Sequence, residues 1–188
     1  MLNGVFSDFE LDQLGIKLNG ANAYVSANCV GSCEEEMETK TVTKSCRGVV
    51  VKKIARGTGN GTLKLSLHIP YAVYTEAYGM DLDTLIAGVK AYGKNSVHKT
   101  LSIVMHIKDE DGAEKLKAYP NCILEAGMSR KIENGAEEVA ELELEISVMP
   151  DEYGNGLYEA IVDDVTDTNA KTTWMTNFTP DLVQVPSA

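Results

Sequence analysis

Apolar and polar residues alternate without interruption through residues 140–148 of the chain. Successive side chains of a β-strand point to opposite faces, so this run predicts a strand with one buried and one solvated face. The solvated face would carry Glu141, Glu143, Glu145 and Ser147. A row of three carboxylates on one sheet face is the feature that any functional interpretation has to explain.

A second alternating run, residues 62–69, follows a glycine-rich stretch. Its outward residues are Lys64, Ser66 and His68. Glycine-rich sequence reverses a chain at low cost, so residues 57–61 are predicted to be the turn of a long hairpin. The other strand of that hairpin would lie in residues 38–54, which are rich in threonine and valine.

The rest of the pattern predicts a mainly β chain with one helical interruption. Pro70 suits a helix start, and helical spacing continues to about residue 91, where Gly79 and Gly88 are expected to divide it into two pieces. Residues 31–38 are predicted to be a polar loop and residues 109–112 a tight turn. Further strands are predicted at residues 22–30, 100–107, 113–118, 121–128, 137–148 and 157–162.

These elements divide the chain into an N-terminal arm (1–20), a β domain (21–164) and a C-terminal arm (165–188). The C-terminal arm lacks alternation but holds a group of apolar residues, Trp174, Phe178, Leu182 and Val183. We expect the C-terminal arm and residues 1–18 to contact neighbouring subunits or rings. The alternative for the C-terminal arm is a free tail, which Trp174 and Phe178 disfavour because docking an aromatic side chain stabilises by about 1.5 kcal/mol or more.

The charge balance is acidic, with 17 basic against 28 acidic residues and a net charge of −11. A compact chain of this charge repels polyanions, so it does not bind nucleic acid by neutralising phosphates. The first residues lack the basic and apolar parts of an export signal, and no apolar run approaches the ~20 residues of a membrane span. We therefore expect folding in a cytoplasm, reduced cysteines and no membrane partner.

Candidate catalytic and metal motifs fail on spacing or context. Three cysteines and one histidine could be imagined as zinc ligands, but a second tight pair of ligands is missing, so reduced thiols are the better interpretation. Those residues are Cys29, Cys33, Cys46 and His68. Residues 88–95 fall short of a phosphate-binding loop, and residues 109–120 lack the last glutamate of a calcium loop. The sequence predicts no catalytic residue, cofactor or metal, and hence no enzyme.

Several short sequence segments and predicted elements follow one another in an order that resembles one protein family. They are the long hairpin, the helix opening Ile69-Pro70-Tyr71, the turn at 109–112, residues 117–122, the Glu133-Asn134-Gly135 turn, the strand at 139–148 and residues 153–160. Over residues 38–164 the chain resembles a major tail tube protein of long-tailed (siphovirus-type) bacteriophages or prophages. The resemblance implies a β-sandwich or rolled barrel with one flanking helical segment and extended terminal arms.

The same resemblance implies a function. It implies a structural virion protein, made in the bacterial host cytoplasm, that self-assembles into hexameric rings stacked into a tail tube. The tube would be a conduit for DNA during ejection, and DNA would pass without specific binding. Tape measure, tail terminator and tip proteins would be the other partners. Each subunit would lend strands to an inner barrel, and closure of that barrel removes the sheet edges.

A lumen that conducts DNA should repel phosphate at short range, within a Debye length of roughly 8 Å. We therefore assign Glu141, Glu143 and Glu145 to the lumen face. Lys64, Ser66 and His68 would lie beside them, although Lys64 is an unfavourable charge there. The alternative is that the three glutamates face solvent on a monomer.

Two rival functions remain open. The inner tube protein of a contractile injection or secretion apparatus would share the fold, but a sheath would bind outside it. A β-sandwich binding module for carbohydrates would need exposed aromatic residues on one face. The tyrosines cluster instead in the helical segment, where packing explains them: Tyr71, Tyr74, Tyr78 and Tyr92.

Overall fold

The computed structural model describes residues 6–132, 134–135 and 140–185, apart from the side chains of Asn28 and Cys29. Seven strands, two α-helices and a 3₁₀ helix at Pro180–Val183 make up this part of the chain, which confirms the prediction of a mainly β protein. The strands are β1 (Glu10–Leu18), β2 (Val25–Cys46), β3 (Val49–His68), β4 (Thr100–Lys108), β5 (Glu114–Leu124), β6 (Leu142–Val148) and β7 (Tyr158–Ile161). The helices are α1 (Tyr71–Ala77) and α2 (Thr168–Asn177).

The seven strands form one antiparallel sheet in the order β4-β1-β2-β3-β6-β5-β7. An additional pairing joins β4 to β5 along nearly their whole length. The sheet therefore curls until its first strand meets its sixth. β6 and β7 pair with different parts of β5. Curling separates an inner face, which holds the core, from an outer face.

The main core fills the inner face of the curled sheet. Leu14, Leu63, Ile103, Tyr119 and Ile146 come from five different strands, and each is at most 1% exposed. Full burial of an aliphatic side chain stabilises by about 1.5–3 kcal/mol. The inward residues of the alternating runs thus converge on a single core.

A second, smaller core lies on the outer face of β4 and β5, under α2. Its buried residues are Val104, Leu116, Ala118, Trp174 and Phe178. The Asp167 side chain caps the helix by accepting a hydrogen bond from the backbone N–H of Ala170 at 2.9 Å. The residues that this segment buries, Ala170, Trp174 and Phe178, are spaced four positions apart, but only three positions are too few to be recognised as a helical pattern in the sequence.

The β2–β3 hairpin turns at Arg47 and Gly48, so the predicted turn at residues 57–61 is wrong. Both residues have positive φ, 51° and 78°, as in the two-residue turns whose twist matches that of the strands. Pairing continues from the hairpin base to Cys46 opposite Val49. Residues 31–38, predicted to be a loop, therefore lie inside β2.

The glycine-rich stretch bends β3 instead of reversing it. The β2–β3 register shifts between Met37 and Thr39, and Gly59 opposite them has a φ of 80°, which together define a β-bulge. β3 pairs with β6 only from Gly61 onward. The bulge therefore marks the place where the hairpin leaves the sheet.

Residues 10–18 form β1 between β4 and β2, so the prediction that residues 1–20 are an arm is wrong for this stretch. Leu14, Ile16 and Leu18 are buried in the main core. A register shift between Leu11 and Gln13 interrupts the alternation and hides the strand in the sequence. Residues 1–5 lie outside the described part of the chain.

The helical segment is shorter than predicted, because α1 ends at Ala77. Gly79 has a φ of 62°, and the main chain of Val97 occupies the space of a side chain there. A left-handed residue after the last turn is a common helix terminator. Residues 80–99 then run as a loop that returns to the helix, where the backbone N–H of Lys99 donates to the Ala77 carbonyl at 2.9 Å.

The remaining predictions are confirmed or refined. The tight turn at 109–112 is confirmed by the hydrogen bond from the Asp109 N–H to the Ala113 carbonyl, 3.0 Å. The strands predicted at 113–118 and 121–128 are one strand, β5, which ends at Leu124, so residues 125–128 are not part of it. Pro120 does not interrupt β5, because it lies where the β4–β5 register shifts. Of the strand predicted at 137–148, residues 142–148 are observed as β6, and residues 140 and 141 precede it. Residues 136–139 and Glu133 of the predicted turn, like residues 186–188, lie outside the described residues.

Candidate functional site

The register of β2, β3 and β6 builds one polar face on the sheet. Lys64 of β3 stands opposite Glu34 on one side and opposite Glu145 on the other. Ser66, two residues further along, stands opposite Glu143. We call this surface the acidic face. Its charged members are Glu34, Glu36, Glu143, Glu145 and Lys64.

Four of the residues assigned to a lumen share this face: Glu143, Glu145, Lys64 and Ser66. Their assignment to a lumen stays a prediction. Glu34 and Glu36 were missed in the sequence, because three consecutive glutamates give no alternating signal. Only the pairing of β2 with β3 shows that Glu35 points to the other side, opposite the buried Leu63.

Glu141 and His68 occupy different positions from the rest of the predicted set. Glu141 precedes β6, and its carboxylate accepts a hydrogen bond of 2.6 Å from the Ser66 hydroxyl. The same carboxylate lies over Gly31, where a Cβ atom would come within 2.6 Å of its carboxyl carbon. His68 is half-buried at the end of β3, opposite Asn28. Both residues border the acidic face without extending its row of exposed carboxylates.

The acidic face carries four carboxylates and one ammonium group, so its potential is negative. Glu143 and Glu145 flank the buried Leu144 and are about 7 Å apart along the strand. Two shallow clefts of ≈ 430 Å³ and ≈ 280 Å³ run along this surface. Their described lining residues include no histidine or cysteine. The chemistry of the face is therefore repulsion of anions and attraction of cationic groups.

Residues 39–57, the outer part of the β2–β3 hairpin, carry charge of the opposite sign. The segment contains six basic residues and no acidic one. Every residue in it except Ile54 is exposed, so both faces of this two-stranded ribbon meet solvent. We call it the basic hairpin. Its basic residues are Lys40, Lys44, Arg47, Lys52, Lys53 and Arg56.

Like charges and apolar side chains are both exposed on the basic hairpin. Lys44 lies opposite Lys52, and Lys40 lies opposite Arg56. Directly opposed like charges destabilise a strand pair, and a lone hairpin is at best marginally stable in water. Four exposed valines add apolar surface: Val42, Val49, Val50 and Val51. An acidic partner surface would remove the repulsion and cover this area.

An ion cluster built around two buried lysines lies on the inner face, near the base of the hairpin. Lys117 of β5 is only 7% exposed, and its Nζ atom lies 2.9 Å from the Glu35 carboxylate and 3.1 Å from that of Asp8. The Tyr119 hydroxyl donates to the same oxygen of Glu35. Lys115 pairs with Asp8. We call this group the Lys117 cluster; its members are Asp8, Glu35, Lys115, Lys117, Tyr119 and Glu159.

Burial and pairing oppose each other in the Lys117 cluster. Desolvation lowers the pKa of Lys117, but the hydrogen bonds and charges of Glu35 and Asp8 outweigh it and hold that pKa above its ordinary value. Desolvation likewise raises the pKa of Asp8, and the two lysines outweigh it, so the pKa lies below the usual range. Burial, followed by the Glu35 contact, raises the pKa of the Tyr119 hydroxyl. Asp8 and Lys117 are therefore charged at pH 7, and the Tyr119 hydroxyl is neutral.

The four residues predicted to form an inter-subunit arm pack against their own chain. Trp174 and Phe178 are each 2% exposed, and the Trp174 indole donates to the Lys117 carbonyl at 3.1 Å. Leu182 and Val183 are half-buried against the same core. A contact of this segment with a neighbouring subunit stays a prediction. The described residues show that the segment is not free of its own sheet.

The thiols and histidines that the structure describes do not converge on a metal site, and the side chain of Cys29 lies outside the described part of the chain. Cys46 lies at the tip of the basic hairpin and Cys33 lies 13 positions earlier in the same strand, about 40 Å away by strand rise. Burial raises the pKa of the Cys122 thiol to about 12. Among the described residues, no group of three or more histidine, cysteine or acidic side chains is arranged to hold a metal ion.

No protein-family model matches the sequence, and no curated protein is significantly similar to it. Within the described residues, no helix combines the length and the apolar composition required to cross a membrane. What is established is the class: a mainly β protein built on one curled antiparallel sheet. Any functional conclusion must therefore come from the acidic face, the basic hairpin and the Lys117 cluster.

Proposed function

We propose that this chain is a structural protein whose copies assemble head to tail into a tube. The tube would be the tail tube of a long-tailed bacteriophage or prophage, built from stacked hexameric rings around a DNA channel. The observation that carries the proposal is the basic hairpin, in which Lys44 faces Lys52 without an acidic residue in the whole segment. Such a ribbon is completed by an acidic surface on another molecule.

A second copy of the chain is a better partner for this hairpin than nucleic acid. Six of the 17 basic residues lie in the hairpin, so the remaining 11 face 28 acidic residues, a formal charge of −17 for the rest of the molecule. A polyanion approaching the hairpin would meet that repulsion as well. A second copy of the chain offers carboxylates to the hairpin, and its own basic hairpin can bind a third copy in the same way.

The geometry of such a contact favours open stacking. The basic hairpin of one copy would bind a different surface on the next, and a contact between unlike surfaces propagates into rings or filaments. From Thr39 to Arg47 the hairpin reaches about 26 Å beyond the sheet, far enough to bridge to a subunit in an adjacent layer. The curled sheet, with β4 paired to β5, supports the rolled-barrel body expected of this protein class.

The acidic face suits the wall of a DNA channel. Its carboxylates stand on the regularly paired part of β2, β3 and β6, and repulsion of phosphate acts within roughly 8 Å at physiological salt. Repeating that face around a ring would give a lining that DNA does not adhere to. A non-enzymatic role in the virion tail, and contacts with tape measure, terminator and tip proteins, belong to the same proposal and depend on the resemblance.

Electron microscopy of the purified chain tests the proposal. We expect rings or hollow filaments at high protein concentration, and a mass distribution in light scattering that grows with concentration. The paired substitution Lys44→Glu with Lys52→Glu should abolish assembly. Lys94→Glu with Lys171→Glu makes the same change in charge away from the hairpin and should leave assembly intact. A wild-type chain that stays monomeric under all these conditions refutes the proposal.

A further inference from the structure

The N-terminal residues 6–9 and the base of the basic hairpin are bound to the same buried cation. Asp8 and Glu35 lie 3.1 Å and 2.9 Å from the Nζ atom of Lys117. Glu35 belongs to β2, and β2 is not a neighbour of β5 in the sheet. Its contact with Lys117 therefore crosses the interior of the curled sheet and links the hairpin base to the opposite side.

Residues 6–9, which we call the strap, are held chiefly by side chains. The Phe6 ring packs against the main core and lies 4.6 Å from the Lys115 ammonium. Asp8 pairs with both Lys115 and Lys117. In the described part of the chain, the first backbone hydrogen bond is donated by Phe9, to the Lys108 carbonyl at 3.1 Å. Loss of a few side-chain contacts would thus release the strap without unpairing β1.

The strap and the hairpin base are two walls of one cleft. This cleft has a volume of ≈ 580 Å³, and its lining includes Asp8 and Phe9 on one side and Val30, Cys33 and Glu35 on the other. Lys117 forms the floor between them. Lys117 is only 7% exposed although the cleft already meets solvent. Moving the strap would let more water reach its ammonium group, and water screens the ion pair between Glu35 and Lys117.

We propose that the strap controls the position of the basic hairpin through Lys117, so that a displaced strap frees the hairpin to change direction. The inference deepens the proposed function, on which it rests, because the hairpin position matters for contact with a second copy. Glu35 sits opposite Leu63, just before the bulge where the hairpin leaves the sheet. A shift of Glu35 would therefore change the direction of the whole basic hairpin.

Hydrogen–deuterium exchange of the full chain, at concentrations where it is monomeric, tests this coupling. In Asp8→Asn, we expect exchange at residues 31–37 and 61–65 to rise by about tenfold or more, the effect of losing a charge-assisted hydrogen bond. Asp8→Glu keeps the charge and should restore protection. Asp12→Asn is the matched control: Asp12 pairs with His106 and Lys108, which both belong to β4, and β1 pairs with β2 only further along, at residues 14–16.

A second variant keeps the test decisive if Asp8→Asn does not fold. Phe6→Ala loosens the strap without altering any charge, and it should produce the same rise at the hairpin base. Faster exchange confined to residues 6–10 in either folded variant overturns the proposal. Because the readout comes from the monomer, failure of the chain to form tubes would refute the assembly function and leave this coupling measurable.

Discussion

Lys44 and Lys52 face each other across the two strands of an exposed hairpin whose outer 19 residues contain no acidic residue. Opposed lysines weaken a ribbon that has no core of its own. The arrangement is explained if the ribbon is stabilised between molecules, because the rest of a second copy carries a large excess of acidic residues, most of them outside the acidic face. The acidic face itself would stay free to line the channel.

Salt should weaken assembly, because exposed charges dominate the proposed contact. Raising the ionic strength from about 0.1 M to about 1 M shortens the Debye length from about 10 Å to about 3 Å. We expect the assembled fraction, measured by sedimentation, to fall steeply over this range while circular dichroism stays unchanged. Assembly that strengthens with salt would indicate that the exposed valines, and not the lysines, hold copies together.

Charge reversal on the acidic face should create an affinity for DNA. Glu143→Lys with Glu145→Lys turns a repelling surface into an attractive one, so nonspecific DNA binding should appear and decline with salt. The control is Glu110→Lys with Glu152→Lys, which makes the same change in net charge at two turns away from the acidic face. Fluorescence anisotropy with a labelled duplex gives the measurement. Equal binding by both variants would mean that net charge alone matters.

Trp174→Ala should destabilise the monomer by about 3–5 kcal/mol, since it empties the second core and leaves the Lys117 carbonyl without its indole donor. Urea unfolding measures the change, and Val185→Ala, at an 88% exposed position, should leave the free energy of unfolding nearly unchanged. For the same reason, deletion of residues 172–188 should unfold the chain partly and not merely prevent assembly. A deletion variant as stable as wild type contradicts this account.

Gly59→Ala and Gly112→Ala separate backbone strain from crowding. Both glycines have positive φ, 80° and 83°, so alanine should cost about 1 kcal/mol or more at either position. At Gly59 the new Cβ would also approach the Gly154 carbonyl oxygen at 2.7 Å, whereas nothing lies within 4 Å at Gly112. Thermal unfolding should show the larger loss for Gly59→Ala. Equal losses would mean that the loop at residues 150–157 moves aside freely.

The Lys117 cluster should make stability depend on pH at both extremes. The pKa of Asp8 is lowered by folding, so its contribution is present above the unfolded value of about 3.9 and is lost as pH falls through the folded pKa. The pKa of Lys117 is raised, so its contribution is present below about 10.4 and is lost as pH rises through the folded pKa. Urea midpoints across pH measure both effects. In Asp8→Asn, the urea midpoint should fall less steeply as the pH is lowered below about 4. An unchanged fall in the midpoint would exclude Asp8 as its cause.

The regular alternation of apolar and polar residues predicts much of the strand structure. The strand at β6, the inward leucines of β3 and the turn at 109–112 were predictable, because a half-buried strand must alternate and a tight turn needs glycine at positive φ. The hairpin turn was assigned to the wrong glycines. Arg47-Gly48 is a short signal beside five residues of Gly-Thr-Gly-Asn-Gly, and only the strand register distinguishes a turn from a bulge.

Local pattern could establish which residues alternate, and therefore that Glu143, Glu145, Lys64 and Ser66 belong to solvated faces. It could not establish which distant segments meet. The pairing of β1 with β4, the contact of Glu35 with Lys117 across the interior and the packing of Trp174 on β5 all join residues 50 or more positions apart. Such contacts form because apolar area and charge must be satisfied over the whole molecule at once, and no window of neighbouring residues contains that information.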